Sequence, residues 1–561
     1  MQVRVSDGTL EGEVLKDSYG KIFYSFKGIP YAEPPLGELR FQAPKPVQPW
    51  EGVRSAKKNG PCCIQANIDL QPETIGSEDC LYLNVFTPDL NPSYPLPVMV
   101  QIHGGGFCFL SGGDDWFDTD YLLRHGVILV TINYRLEVLG FLCLDTEDIP
   151  GNAGMKDQVA AMKWIKNNIS SFGGDPNNIT LFGISAGGAS IAYHLVSPMS
   201  KGLFKRAIIQ SGTNTCYWTQ SIAPREKALA LAKKLGCQSD NDKEISNVLK
   251  SVPAEYLINI HLPVTYLETF KDYWKIYFNV VPEKLFGDNE RFFYGNINEV
   301  LRDNINNGVE VIVGCTKNEG ILNLTIGLDK IVTQANKFTE YFVPTHIALN
   351  CPIEKQIEIG NRIKKRYFGN KIISIDDLDK ILHYFALDTF VYSIIEWAKI
   401  YASSYENRIY VYIMSCETER NIMVDLLGLR EQLKNFKGAC HADDSFYTFS
   451  VKRLLPKVDE GSETFKVINQ ITTLWTNFAK YGNPTPDDSL RVKWKPFTLE
   501  HQDYLNIGNI LVEEKGPYKV DIDFWEEIFE ECFKGTQGSS EAQSRRGDKS
   551  PDRRVNCNRK L

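Results

Sequence analysis

Residues 183–187 read Gly-Ile-Ser-Ala-Gly, and residues 103–107 read His-Gly-Gly-Gly-Phe. The first pattern sets one hydroxyl, Ser185, between two glycines. An apolar run, "ITLF", precedes it and a small-residue run, "GGASIAYHLVS", follows. That layout predicts a strand, a sharp turn and a helix, an elbow that holds a serine oxygen out for attack. A serine hydroxyl is a weak nucleophile. It needs a base within hydrogen-bond reach, an acid to orient that base, and donors for the oxyanion. Consecutive glycines after a strand can aim several backbone N–H groups at one oxygen. Gly105 and Gly106 are therefore candidate donors, with Ala186 of the elbow as a third. Either pattern alone also fits an ordinary tight turn, but the two together, glycine run first, point to acyl transfer.

The elements around these patterns carry a consistent signature. "PLPVMVQIHGGGF", "GVILVTINYR", "NITLFG", "KRAIIQSG", "VEVIVGCTKNEG" and "RIYVYIMS" read as short, continuously apolar strands. Residues 157–172 place Val159, Met162, Ile165 and Ile169 at helical spacing. Apolar strands alternating with helices predict an α/β chain with a mostly parallel, twisted sheet covered on both faces. Residues 220–300 and 320–405 are richer in helix-type spacing and charge, and read as helical insertions after sheet strands that wall a gorge over a sheet edge, with simple packing against the sheet as the alternative. At the start, Val3 and Val5, then Leu10 and Val14, alternate like strands. Length alone suggests two to four domains, but large α/β chains often run as one, and residues 1–534 are expected to form a single domain. The tail 535–561 holds seven Arg/Lys against three Asp/Glu with almost no apolar residues, so disorder is expected there.

Composition narrows the function classes. With 561 residues, 43% hydrophobic, the chain can bury a large core. A net charge of −8 is not a nucleic-acid footprint. No window is apolar enough for a membrane span, and the N-terminus has no apolar leader. The expected location is cytoplasmic, with a secreted or endoplasmic-reticulum protein as the alternative if the chain is a shortened form. Thirteen cysteines include no C-x-x-C pair, so no metal site is expected. Cys62 or Cys63 could close a short loop to Cys80. A basic tail could touch anionic lipid weakly, although a solvated end is the simpler reading.

Longer motifs extend the pattern: "FKGIPYAEPPLGELRFQAPKP", "SEDCLYLNVFTP", "GNAGMKDQVAAMKW", "FGGDPNNITLFGISAGGAS" and "SPMSKGLFKRAIIQSG". On these, over roughly residues 1–532, the chain resembles type-B carboxylesterases of the cholinesterase/carboxylesterase family, on the α/β-hydrolase fold. It is most similar to the insect α-esterases, a group associated with xenobiotic and organophosphate handling. The resemblance implies an acid, Glu319, in "GCTKNEG", and a base, His441, in "GACHADDSFYTF". The order Ser185, Glu319, His441 agrees with that fold. On residues alone Glu319 is one of 70 acids, so its role rests on the resemblance. His441 does sit in a Gly/Ala/Cys/Asp-rich loop ahead of an aromatic run. His103 belongs to the glycine loop, and His194 lies on the elbow helix.

The resemblance also implies a pocket. Trp218 falls at an acyl-pocket position, Phe278, with Ile276 beside it, falls near the acyl-pocket segment, and Phe107 and Phe446 flank the candidate loops. Each has core packing as its alternative. Arg40 with Glu78, and Arg135 with Asp175, match structural ion pairs of the family. Sequons at Asn168, Asn178 and Asn323 mean little without secretion. Two departures disfavour a choline-ester site: Ile184 stands where cholinesterases carry Glu before the nucleophile, and the Cys63–Cys80 region lacks a tryptophan. A further one is that Cys237 has no partner downstream for the family's second cysteine loop. An acid before Ser185 would shift nearby pKa values or order water, so Ile184 bears on deacylation. The expected activity is hydrolysis of lipophilic carboxylic esters without metal or cofactor, acting on small-molecule esters and not on nucleic acid. The competing readings are a slow esterase that sequesters organophosphates or esters, and a non-catalytic interaction protein on the same fold.

Overall fold

The computed structural model describes residues 1–66, 73–258, 260–271, 274, 276–303, 308–403 and 408–533. Among these described residues, eleven strands build one sheet. In chain order they are β1 (Glu13–Lys16), β2 (Ile22–Pro30), β3 (Tyr82–Thr87), β4 (Leu96–Ile102), β5 (Ile128–Ile132), β6 (Gly174–Ile184), β7 (Arg206–Gln210), β8 (Glu310–Thr316), β9 (Ile409–Met414), β10 (Asp503–Ile507) and β11 (Leu511–Lys515). In space they run β11-β10-β9-β8-β7-β6-β4-β5-β3-β2-β1. Pairings from β5 across to β10 are parallel. The edges, β3-β2-β1 on one side and β11 on the other, are antiparallel. This is the mostly parallel sheet that the alternation of strands and helices predicts, in the arrangement that the resemblance to α/β-hydrolases implies.

Successive side chains of a strand point to opposite faces, so a strand covered on both sides must be apolar throughout. The core divides accordingly. Val98, Val100, Leu181, Ile209, Val311, Val313 and Val411 face one hydrophobic cluster, with α1 (Ala153–Asn168), α2 (Ala186–Val196), α3 (Leu378–Ala386) and α4 (Tyr392–Ala402). Their neighbours Met99, Phe182, Ile208, Ile312, Tyr410 and Tyr412 face the other, against Ile468, Leu474 and Trp475 of α5 (Glu463–Tyr481). Each fully buried side chain of this size contributes about 1.5–3 kcal/mol. The helix expected over 157–172 starts earlier, at Ala153. It closes in a tight turn, Ile169–Phe172, that Gly173 ends at a φ of 85°. The two helical insertions follow β7 and β8, where the charged, helix-spaced segments were expected.

The first strands pair into a separate small sheet, Gln2–Val5, Gly8–Glu11 and Val53–Ser55. Val3, Val5 and Leu10 are buried there, whereas Val14, on β1, is exposed. Cys63, not Cys62, bonds Cys80. Cys237 is a free thiol. Arg40 pairs with Glu78 through two contacts of 2.7 and 2.6 Å. Arg135 does not pair with Asp175. Its Nε and Nη2 donate to Asp157 at 2.7 and 2.6 Å, while Asp175 accepts from the Asn177 N–H at 2.9 Å. The reason is topological: Arg135 follows the C-terminal end of β5 and Asp175 begins β6, and in a parallel sheet those are opposite ends. All three sequon amides are engaged. Asn168 and Asn323 are buried, and Asn178 accepts from Arg206 at 2.5 Å. No helix among the described residues is long and apolar enough to cross a membrane, and the basic tail lies outside the described residues.

Candidate active site

β6 ends at Ile184, and Ser185 turns the chain into α2 with φ 57° and ψ −124°. A non-glycine residue at positive φ costs on the order of 1–3 kcal/mol and persists only when its surroundings impose it. Here they do. The Ser185 N–H donates to Gln210 O at 2.8 Å. A Cβ on Gly187 would lie 2.1 Å from Ile102 O, and one on Gly183 2.5 Å from the same oxygen. The elbow glycines are therefore required by backbone-to-backbone packing of α2 on the end of β4. Gly104 and Gly212 close in equally: a Cβ on the first would meet Ile184 O at 2.6 Å, and on the second Ser185 O at 2.4 Å.

The register Ile184–Gln210–Gly314–Tyr412 lines up the C-terminal ends of β6 to β9, the end at which open parallel sheets hold their ligands. Glu319 follows β8 and His441 follows β9, and the two loops are stitched by Asn318 N–H donating to Ala439 O at 3.2 Å. Glu319 is fully buried and His441 nearly so. His441 Nδ1 and Glu319 Oε2 are 2.6 Å apart. A carboxylate only accepts, so Nδ1 carries the proton and Nε2 is the basic nitrogen. The other oxygen, Oε1, accepts from Ser211 Oγ at 2.6 Å and from the Thr316 N–H at 2.7 Å. Ser211 and Gly212 thus bridge the elbow to the acid.

The other histidines near the sheet are structural. His194 is buried between Ser200 Oγ and Gln158 Oε1, at 2.7 and 2.8 Å, and desolvation pushes it down to about 3. His103 stacks on Tyr134 with ring centres 4.3 Å apart, and burial pushes it down to about 4. Both are held neutral. Two further carboxyls lie in the His441 loop. Asp443 accepts from Cys440 N–H and Met423 N–H at 2.7 and 3.0 Å, and burial pushes it up to about 7. Asp444 accepts from Gln210 Nε2 and Tyr412 OH at 2.8 and 3.1 Å, and burial pushes it up to about 6.

In the glycine loop, Gly105 and Gly106 take φ of 89° and 60°. A Cβ on Gly105 would meet Phe109 O at 2.1 Å, and one on Gly106 would meet Ile276 Cδ1 at 2.9 Å. Ile276 therefore stands against the loop. Trp218 Nε1 donates to Thr389 O at 3.2 Å. Its ring lies 5.7 Å from Phe390 and 6.2 Å from Trp274. Phe278 and Ile184 are each 6% exposed; Phe278 belongs to the large core cluster that also holds Trp218 and Phe390, and Ile184 ends β6. Phe107 is buried against Phe141 at 5.0 Å. Phe446 packs in the cluster on the opposite sheet face, with Tyr447 and Phe449. The surroundings of these two are core. Sequence reasoning missed Ser211, Asp444, Trp274 and Phe390. The "SG" after β7 and the acid three residues after His441 were readable hints of the first two, whereas the aromatic pair left no local signal.

The carboxylesterase family model matches residues 1–525. Esterase FE4 of Myzus persicae is 33% identical over 522 residues, covering 91% of this chain and 90% of that protein. Bile salt-activated lipase of Bos taurus is 32% identical, covering 90% and 83%. In the crystal structure of juvenile hormone esterase from Manduca sexta, which has OTFP covalently attached, the chain superimposes with a TM-score of 0.83. That match has 28% identity and covers 94% of this chain and 99% of that one.

Proposed function

Because the chain belongs to the carboxylesterase family and is a carboxylic ester hydrolase, we propose that it hydrolyses lipophilic esters through an acyl-enzyme on Ser185. The observation that carries this reading is the buried 2.6 Å contact between His441 Nδ1 and Glu319, reached through Ser211 from a strained Ser185. Ser185 Oγ attacks the ester carbonyl while His441 Nε2 takes its proton. Glu319 keeps the tautomer and offsets the imidazolium charge. Gly105, Gly106 and Ala186 N–H groups receive the oxyanion, and removing one such donor costs about 2.7–4 kcal/mol in comparable sites. The protonated imidazole returns its proton to the departing alcohol. Water, deprotonated by His441, then releases the carboxylic acid.

Apolar side chains beside the candidate triad favour lipophilic substrates: Ile276 stands against Gly106, Phe390 lies on His441 with Trp218 behind it, and Ile184 puts no charge beside the nucleophile. Relatives named as a lipase and as juvenile hormone esterases accord with that class. The test is a chain-length series of p-nitrophenyl esters with the wild type and with Ser185→Ala. Turnover should rise with acyl length to an optimum and vanish in the variant. Equal rates in both proteins would remove Ser185 from the mechanism. Release of one equivalent of p-nitrophenol without turnover would favour a sequestering protein instead.

A further inference from the structure

The helix that spans the second insertion is interrupted. Between α3 and α4, residues Leu387–Val391 form a π-helical turn, a device that shifts side chains off the helical rows and recurs at functional sites. It turns Phe390 onto the base. The Phe390 and His441 rings are stacked with centroids 4.6 Å apart and planes 29° apart, and both side chains are buried. The turn is clamped on the acid's side of the site as well. Thr389 hydrogen-bonds Asn323 at 3.3 Å, four residues past Glu319, and Trp218 Nε1 donates to Thr389 O. A Cβ on Gly320 would lie 2.0 Å from Leu382 O of α3, so the segment that begins at Glu319 and the interrupted helix meet backbone to backbone. Trp218 and Trp274 brace the Phe390 ring at 5.7 and 5.8 Å.

We propose that Phe390 is a positioning residue for His441, its ring face holding the imidazole against Glu319 and stabilising the imidazolium formed when Ser185 gives up its proton. An aromatic face attracts a cation within about 6 Å of its centre, most strongly where water is excluded. The other groups around the imidazole supply only part of that charge compensation. Glu319 holds Nδ1. Asp444 accepts from Gln210 and Tyr412 and also interacts electrostatically with His441 and Glu319, and Asp443 is engaged by the backbone of its own loop and of Met423. The thiols of Cys216, Cys315 and Cys440 lie around Glu319, and burial holds them protonated. Asp388, on the π turn, acts on Tyr217 and Tyr384.

The inference rests on His441 being the base, and its test separates the two. His441→Asn should abolish turnover; if it does not, the base assignment fails, whatever Phe390 does. Phe390→Leu keeps an apolar wall and removes the face. Its kcat should fall roughly tenfold, and the acid limb of its kcat/KM profile should move about one pH unit lower, because the neutral base is the active form in free enzyme. Phe390→Tyr should keep the wild-type limb. Replacing Phe390 with pentafluorophenylalanine, which reverses the ring's polarity at near-constant shape, should move the limb as Leu does even where Leu perturbs packing. An acid limb unmoved by the fluorinated ring, with only acyl-length preference altered by Leu, would overturn the proposal and leave Phe390 a pocket wall.

Discussion

Replacing Glu319 by Gln tests the candidate triad without changing side-chain shape. The wild-type carboxylate takes three donors: Ser211 Oγ and the Thr316 N–H on Oε1, and His441 Nδ1 on Oε2. An amide has one acceptor oxygen and one donor nitrogen. The Thr316 N–H is fixed in the backbone and must face the oxygen, which points the NH2 at His441. Nδ1 must then accept, so the proton moves to Nε2 and the base is lost. Keeping the productive tautomer would turn the NH2 onto the Thr316 N–H and orphan a buried donor, at about 1–3 kcal/mol. Loss of the charged acceptor removes about 1.5–3 kcal/mol more. Together these predict a drop in kcat of roughly 10²–10⁴ with little change in KM. The assay is steady-state hydrolysis of p-nitrophenyl butyrate, with far-ultraviolet circular dichroism confirming the fold. A folded Glu319→Gln retaining more than a tenth of wild-type kcat would refute the argument from tautomers.

Two other perturbations probe the scaffold. Arg135→Ala strands the fully buried Asp157 and should cost about 3–5 kcal/mol in urea unfolding, whereas Asp175→Ala should cost about 0.5 kcal/mol or less; equal losses would contradict the Arg135–Asp157 pairing. Asp444 is pushed up to about 6 by burial, so the folded state binds its proton more tightly than the unfolded state. Its contribution is fully present below about pH 4, is lost as pH rises to about 6, and amounts to about 2–3 kcal/mol. Asp444→Asn should remove that part of the difference in unfolding free energy between pH 4 and pH 7, and a difference equal to that of the wild type would place the pH dependence elsewhere.

How far the sequence could be read depends on the range of each constraint. The strands β4 to β9 were legible because burial on both faces forces an apolar residue at nearly every position. The elbow was legible because its demands are local: Gly183 and Gly187 are dictated by atoms of the adjoining strand end, and a five-residue pattern records them. The acid and base are different. Glu319 and His441 are 122 residues apart, and nothing in either loop encodes the other; only a resemblance across the whole chain could pair them. The same gap explains why Arg135 pairs with Asp157 and not with Asp175, since the family pairing carries only the residue types while the partner is decided by which end of β5 faces α1. Phe390 marks the limit of such reading. In "ALDTFVYS" no residue announces a π-helical turn, and a regular helix would carry Phe390 to another row. What sets its ring on His441 is the sum of contacts from the Gly320–Asn323 segment, Trp218 and Trp274, three separate parts of the chain. A side chain placed by that many remote contacts escapes pattern reading, yet each contact is a constraint that evolution or an engineer can alter independently. The chemistry of the base can then be tuned from the helix behind it without changing Ser185, His441 or Glu319.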